Sequence, residues 1–408
     1  MESIHIKGGV PLRGRVDVGG SKNAALPILY STLIVGGTSK IDNLPNIKDV
    51  NVTLEILRGF GARIAREDGA VFINTDGISY VVPPPELVSE LRASSYLLGA
   101  CLSAFGKTRI QNFGGCNFDN RPIDMHLGAI CALGGRVSGK LITAKRLVGQ
   151  DIVFPKISVG ATVNAILLAA TAKGETNIYN PATEPHIGAL AEFLNSAGAD
   201  VQISEGRIRV VGKSLANAKA RVIPDMIEAG TYLICSLVSG GEVTVCGANP
   251  DHLTALLELL SVAGASVSIT ENGIKAVAEE LPSLSVHTAP YPGFPTDLQP
   301  QTAALMAAFS GGDITEGVWL NRFGYLRELG KLGVRSESFF GGARIYKSEL
   351  KGATVSAPDL RAGAAEIILA LKADGESVIE NADCIRRGYS DITKKLRSLG
   401  AQIEYKQK

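Results

Sequence analysis

No sign of charge dominates this 408-residue chain: Lys plus Arg number 41 against 40 acidic residues, a net charge of +1. Such a balance leaves no broad electrostatic footprint for nucleic acid or an anionic membrane, and neither is expected as a partner. Long apolar runs are missing too. No stretch approaches the roughly eighteen residues that a spanning helix needs. The opening MESIHIKGGV has no apolar core of the kind that directs export. Cysteine is sparse and scattered. Cys101, Cys116, Cys131, Cys235, Cys246 and Cys384 include no CxxC pair. That spacing suits a reducing cytoplasm better than a disulfide framework or a zinc site.

What the chain does have is glycine at regular intervals. An amphipathic stretch, a Gly and a strand-like run recur as LRGFGARI, CALGGRVS, LNSAGADVQI, LSVAGASVSI, LGKLGVRSE and LRSLGAQIEY. The glycines Gly61, Gly134, Gly198, Gly264, Gly333 and Gly400 lie 64 to 73 residues apart by subtraction. Each stands where a helix end calls for a left-handed residue. A second pattern interleaves with the first: a small-residue-rich apolar helix, a Gly-containing turn and a β-like run, as in NAALPILYSTLIVGGTSKIDN or TVNAILLAATAKGETNIYN. Apolar nearly all round, this helix reads as buried, whereas the helix before each repeat glycine reads as outer. A single repeat cannot cover its own buried helix, so repeats must pack around one another. Six repeats in a chain too long for one core imply two domains of three. The first twenty residues precede the first repeat and are expected to complete the last one in space.

Polar residues gather just before the buried helices and just before the outer ones. Both are helix N-termini, where free N–H groups and the helix dipole favour anions. Lys22, Arg92, Arg121, Arg322, Arg361 and Arg387 all fall there. Taken singly, an arginine at a helix start is usually a solvated surface residue; together, this many cations call for a polyanion. Cys101, Cys131 and Cys235 lie in apolar helical runs and read as small buried hydrophobes. Cys116 lies in the polar, Gly-rich FGGCNFDNRPID. By residue chemistry alone it stands equally as an inert loop thiol or an activated one.

The motifs GGSKNAALP, LRAS, GGC with NRPIDMH, ISVGAT, FPTDLQ, NRF, DLRA and RGY, in this order and spanning essentially the whole chain, resemble the UDP-N-acetylglucosamine enolpyruvyl transferases. These are relatives of the enolpyruvylshikimate phosphate synthases. The resemblance implies a two-domain inside-out α/β barrel of six βαβαββ repeats. One domain would span 21–223, the other 1–20 with 224–408, and the active site would lie in the cleft between them. It implies transfer of the enolpyruvyl group of phosphoenolpyruvate to the sugar 3-hydroxyl of UDP-N-acetylglucosamine, with release of phosphate and no metal or cofactor.

The same resemblance implies residue roles. Lys22, Arg121 and Arg387 would hold the phosphate of phosphoenolpyruvate, and Arg322, Arg361 and Arg387 its carboxylate, with Arg92 nearby. Asn23, Thr296 and Asp297 would contact the sugar. Arg121, Pro122, Ile123, Asp124 and Met125 would line the uridine pocket. Lys156, Ser158, Val159 and Gly160 would face uracil, ribose and diphosphate, and Val318 and Asp359 would complete the substrate-binding set. Asp297 would be the base for the hydroxyl. Cys116 would be the acid at the methylene carbon, able also to form a pyruvyl adduct and to be alkylated by the epoxide fosfomycin. Met125, His186, Met226 and Arg386 depart from the family pattern at places outside the proposed catalytic set. Two other readings stay open: a paralogue acting on a different nucleotide or sugar, and a non-catalytic nucleotide-sugar-binding paralogue. The chain is expected to act as a cytoplasmic monomer.

Overall fold

Six helices rich in Ala and Gly carry almost no exposed surface in the computed structural model, which describes residues 2–115 and 121–407. They are Lys22–Ser31, Leu97–Phe105, Val159–Ala169, Met226–Ser239, Gln299–Ala308 and Leu360–Lys372. Small side chains let the helix axes approach closely. A Cβ on Gly99 would lie 2.6 Å from Asn164 Oδ1 and 3.2 Å from Asn164 Cα, so Gly99 sets how near Leu97–Phe105 comes to Val159–Ala169. The chain divides into two compact units. Among the described residues, one comprises 20–115 and 121–223 and the other 2–19 and 224–407. Each holds three of these helices around its own hydrophobic core.

The outer helices are Lys48–Gly59, Asp124–Ala132, Pro185–Ser196, Thr254–Val262, Leu326–Lys331 and Ile392–Ser398. All six repeat glycines have positive φ, between 90° and 102°. An L-residue in that left-handed region loses roughly 1 kcal/mol or more, which is why the sequence pattern returns to Gly. One expectation fails here. Cys131 is exposed on the outer helix Asp124–Ala132. The run LGAICALGG looks apolar throughout, but only one side of that helix packs inward, and His126, Ala129 and Ile130 occupy it. Cys101 and Cys235 are buried as expected.

Each unit carries three sheets. Among the described residues, five of the six sheets are four-stranded, and the sixth, Lys107–Arg109 with Arg136–Ser138 and Leu141–Thr143, has three strands. The missing strand falls where the chain reads VVPPPEL. Three consecutive prolines offer no N–H to a ladder. The chain start behaves as the repeat arithmetic requires. Glu2–Lys7 lies antiparallel between Glu376–Glu380 and Gln402–Gln407, with Ile4 opposite both Ile379 and Tyr405. Arg13–Asp17 then runs parallel to Glu242–Cys246.

Leu360–Lys372 carries a group that no apolar pattern predicts. Glu366 is fully buried, and neither carboxylate oxygen has a hydrogen-bond partner among the described residues. Burial pushes its pKa up to about 9; Glu328 and Asp359 act in the same direction and Lys331 against it. The fold therefore favours the protonated acid. Its stabilising contribution is complete below the unfolded carboxyl value and is lost as pH rises towards 9. Glu366→Gln removes this dependence. In thermal or urea unfolding from pH 5 to 9, the variant is expected to gain on the parent by roughly 1.4 kcal/mol per pH unit at most. A gap that does not change with pH would show that Glu366 does not titrate in that window.

Candidate functional site

In the unit of residues 2–19 and 224–407, two predicted arginines, from two successive repeats, meet on the carboxylate of a third predicted residue, Asp297. Thr296 and Asp297 open the turn Thr296–Leu298 that leads into the buried helix Gln299–Ala308. Arg322 follows the strand Gly312–Glu316, and Arg361 lies in the first turn of Leu360–Lys372. Arg322 Nη1 donates to Asp297 Oδ1 at 3.0 Å, and Arg361 Nη2 and Nε donate to Oδ2 at 3.1 and 3.3 Å. Asp297 is partly open, whereas the two guanidiniums are 4% and 1% exposed. Buried charge is costly unless compensated, and here the compensation is a shared carboxylate that is itself partly open.

The neighbours hold this arrangement rigid. Asp359 caps Leu360–Lys372, its Oδ1 accepting from Arg361 N at 2.8 Å and Ala362 N at 3.0 Å. The Arg361 guanidinium stacks 5.4 Å from the centre of the Tyr389 ring. The Tyr389 hydroxyl pairs with Thr231 Oγ1 at 2.9 Å, and Gln301 Nε2 donates to both oxygens. Burial works against the Arg361 charge, but Tyr389, Asp297 and Asp225 outweigh it and hold the pKa above its ordinary value. Arg387 ends the turn Ala382–Arg387 two residues before Tyr389. Arg322 Nη1 also donates to Thr296 Oγ1 at 3.0 Å, which donates to Glu316 Oε2 at 2.9 Å. Glu316 Oε1 accepts from Thr288 Oγ1 at 2.5 Å and from the N–H groups of Val318 and Trp319. That places Val318 on the same network.

The other unit gathers cations at the starts of its helices. Lys22 is the first residue of Lys22–Ser31, capped by Ser21, and its Nζ lies 3.6 Å from the buried Asp49 carboxylate. Asn23 follows it, half-buried. Arg92 Nη2 donates to the Arg121 carbonyl at 2.5 Å, and a Cβ on Gly115 would touch both arginines. Burial and the Arg121 charge both pull the Arg92 pKa down, so an anion between them would relieve a repulsion.

Pro122 and Ile123 lead into Asp124–Ala132, where Asp124 and Met125 form the first turn. Ser158 caps Val159–Ala169, with Val159 and Gly160 in its first turn, and Lys156 is exposed just before. Gly160 approaches the helix Asp124–Ala132 at His126: a Cβ on Gly160 would lie 2.8 Å from His126 Cε1. Burial, then Arg92, pushes the His126 pKa down to about 4, with Asp124 opposing. The ring is therefore neutral. Because the Asn164 amide nitrogen can only donate, Nδ1 accepts from it at 2.8 Å and Nε2 carries the proton.

Cys116 lies outside the described residues. Burial pushes the Cys101 and Cys235 thiols well above the ordinary range, which removes both as nucleophiles. Glu316, Tyr389 and His126 were not singled out from the sequence. His126 closes the motif NRPIDMH and Tyr389 the motif RGY, signals that were available; nothing local marks Glu316.

The EPSP synthase (3-phosphoshikimate 1-carboxyvinyltransferase) family matches residues 6–396 of the chain. The UDP-N-acetylglucosamine 1-carboxyvinyltransferase of Halothermothrix orenii is 41% identical over 413 residues, covering 99% of both chains. The protein of the same name from Clostridium botulinum is 40% identical over 417 residues with the same coverage. Among solved structures, the enolpyruvyl transferase NikO from Streptomyces tendae has a TM-score of 0.88 at 25% identity over 99% of both chains. An EPSP synthase from Acinetobacter baumannii reaches 0.74 at 19% identity over the full length of both, a likeness of fold alone. Among the described residues, no helix is long and apolar enough to cross a membrane.

Proposed function

The chain belongs to the EPSP synthase (3-phosphoshikimate 1-carboxyvinyltransferase) family, and from that premise we propose that it moves the enolpyruvyl group of phosphoenolpyruvate onto the sugar 3-hydroxyl of UDP-N-acetylglucosamine, releasing phosphate. It is a transferase, and the product is the first committed precursor of peptidoglycan. End-to-end relatives at about 40% identity bear the matching name. The geometric observation that carries the reading is the Asp297 carboxylate held by Arg322 and Arg361.

The chemistry uses such a cluster directly. An enol phosphate is a weak electrophile until its methylene carbon is protonated. In this reading Cys116 supplies that proton and the adjacent carbon becomes cationic. The sugar hydroxyl adds to that carbon while Asp297 takes its proton. A tetrahedral ketal results. Loss of a methyl proton and expulsion of phosphate restore the double bond. Lys22, Arg121 and Arg387 bear the phosphate charge as it develops. The carboxylate of phosphoenolpyruvate competes with Asp297 for Arg322 and Arg361, so substrate binding frees Asp297 to act as a base. Asn23 and Thr296 orient the sugar. Arg121 to Met125 and Lys156 to Gly160 receive the nucleotide.

We read each unit as an inside-out α/β barrel of three repeats, with both units contributing to one reaction in the cytoplasm. Phosphate release with phosphoenolpyruvate and UDP-N-acetylglucosamine tests the proposal. Release only when shikimate 3-phosphate replaces the nucleotide sugar would assign the chain to the other branch of its family. Binding of the nucleotide sugar without release would mark it as a non-catalytic paralogue.

A further inference from the structure

A cavity of about 510 Å³ opens in the unit of residues 20–115 and 121–223, at the opposite ends of its buried helices from Arg92 and Ser158. Leu97–Phe105 and Val159–Ala169 each finish against it. At 1.5 Å per residue, their lengths put it about 13–16 Å from the helix starts described above. Lys145, Arg146, Lys173 and Lys213 line it, with Ser103 and Thr171, and no acidic residue does. For a chain of net charge +1, four cations around one concavity are a marked local excess. Some exposed cations elsewhere are matched, Lys48 with Glu90, Arg209 with Glu175 and Asp200, Lys275 with Glu242, and Arg344 with Asp313. The four cavity cations form no salt bridge among the described residues.

One carbonyl at each helix end is capped by the backbone, Leu102 O by Gly106 N at 3.0 Å and Ala170 O by Lys213 N at 3.0 Å. The two helix C-termini favour nearby cations, but at roughly half a negative charge each they do not balance four. The segments bearing the cations are also tied together. Lys173 N donates to Leu147 O and Ala144 N to Gly106 O, both at 2.9 Å. A Cβ on Gly212 would lie 1.7 Å from Ala172 O, so the third segment is pressed onto the second. The fold thus holds four flexible ammonium and guanidinium arms around a fixed, hydroxyl-bearing floor.

We propose that this cavity is a second anion site, separate from the residues assigned to the reaction, and that it takes a small oligophosphate such as a diphosphate group. Inorganic pyrophosphate is the probe. At low ionic strength it is expected to slow hydrogen exchange of the amides in 144–149, 171–174 and 212–214, also when UDP-N-acetylglucosamine saturates the chain. The double variant Lys173→Gln with Lys213→Gln, at two exposed positions, is expected to weaken this binding about 100-fold, tenfold for each ammonium removed. It should leave turnover unchanged. The proposal is overturned if pyrophosphate gives no protection there, or if sodium chloride at matched ionic strength protects equally. It is overturned too if the double variant binds as the parent does or loses turnover along with binding.

Discussion

Asp297→Asn is expected to lower turnover by about 10²–10⁴-fold, the range that loss of a positioned general base commonly costs. The amide has the shape of the carboxylate and can still accept a hydrogen bond from Arg322 or Arg361, so the local geometry survives. It cannot take a proton from the sugar hydroxyl. A second consequence follows from the charges. Arg322 and Arg361 are buried at 4% and 1% exposure, and in the variant they face each other without Asp297 between them. The folded protein should therefore lose stability, and added phosphate should restore more of it than in the parent, because the anion then compensates both cations. Steady-state kinetics and thermal unfolding with and without phosphate measure the two effects. Near-normal turnover would remove Asp297 from the mechanism.

The second large effect concerns Cys116. If it is the activated thiol, fosfomycin inactivates the protein, and faster when UDP-N-acetylglucosamine is bound. Cys116→Asp retains a group that can donate a proton but reacts far more weakly with an epoxide, so it should keep measurable turnover and resist the drug. Cys116→Ala, with no ionisable group, should lose turnover. Mass spectrometry of the treated protein gives an independent readout, and the competing thiols are now defined. Cys101 and Cys235 are buried with raised pKa values, and Cys246 is buried as well. Cys131, exposed on its outer helix, and the half-buried Cys384 are the relevant controls. An adduct on Cys131, or full sensitivity in Cys116→Asp, would place the reactive thiol elsewhere.

Much of the architecture was legible because it rests on local requirements. A helix end that needs positive φ selects Gly, and six such ends at near-equal spacing disclose six repeats. The buried helices were legible because Ala and Gly leave no polar face. Long-range convergence left weaker traces. Asp297 and Arg361 stand 64 residues apart, and it was the family resemblance, not spacing, that joined them. Glu316 satisfies its carboxylate with two threonines and two backbone N–H groups, a pattern that exists only once the chain has folded. Cys131 and Glu366 were hidden for the converse reason. Each sits in a run whose average is apolar, and an average says nothing of which side a single residue faces or of a buried acid among Ala, Ile and Leu.

The strand Glu2–Lys7 has a consequence for the order in which a growing chain can fold. It lies between Glu376–Glu380 and Gln402–Gln407, so this early segment has no partner until those two strands have been made. The unit of residues 20–115 and 121–223 draws on neither chain region and can close while synthesis continues. For that whole interval the early strand, with Ile4 and Ile6 destined for the core, offers two open edges to any other extended chain it meets. Its alternation of Ser3, His5 and Lys7 with those isoleucines keeps polar or charged side chains on one face during the wait. Substituting them with apolar residues would be felt first in the yield of newly made protein, and only afterwards in the stability of what had folded.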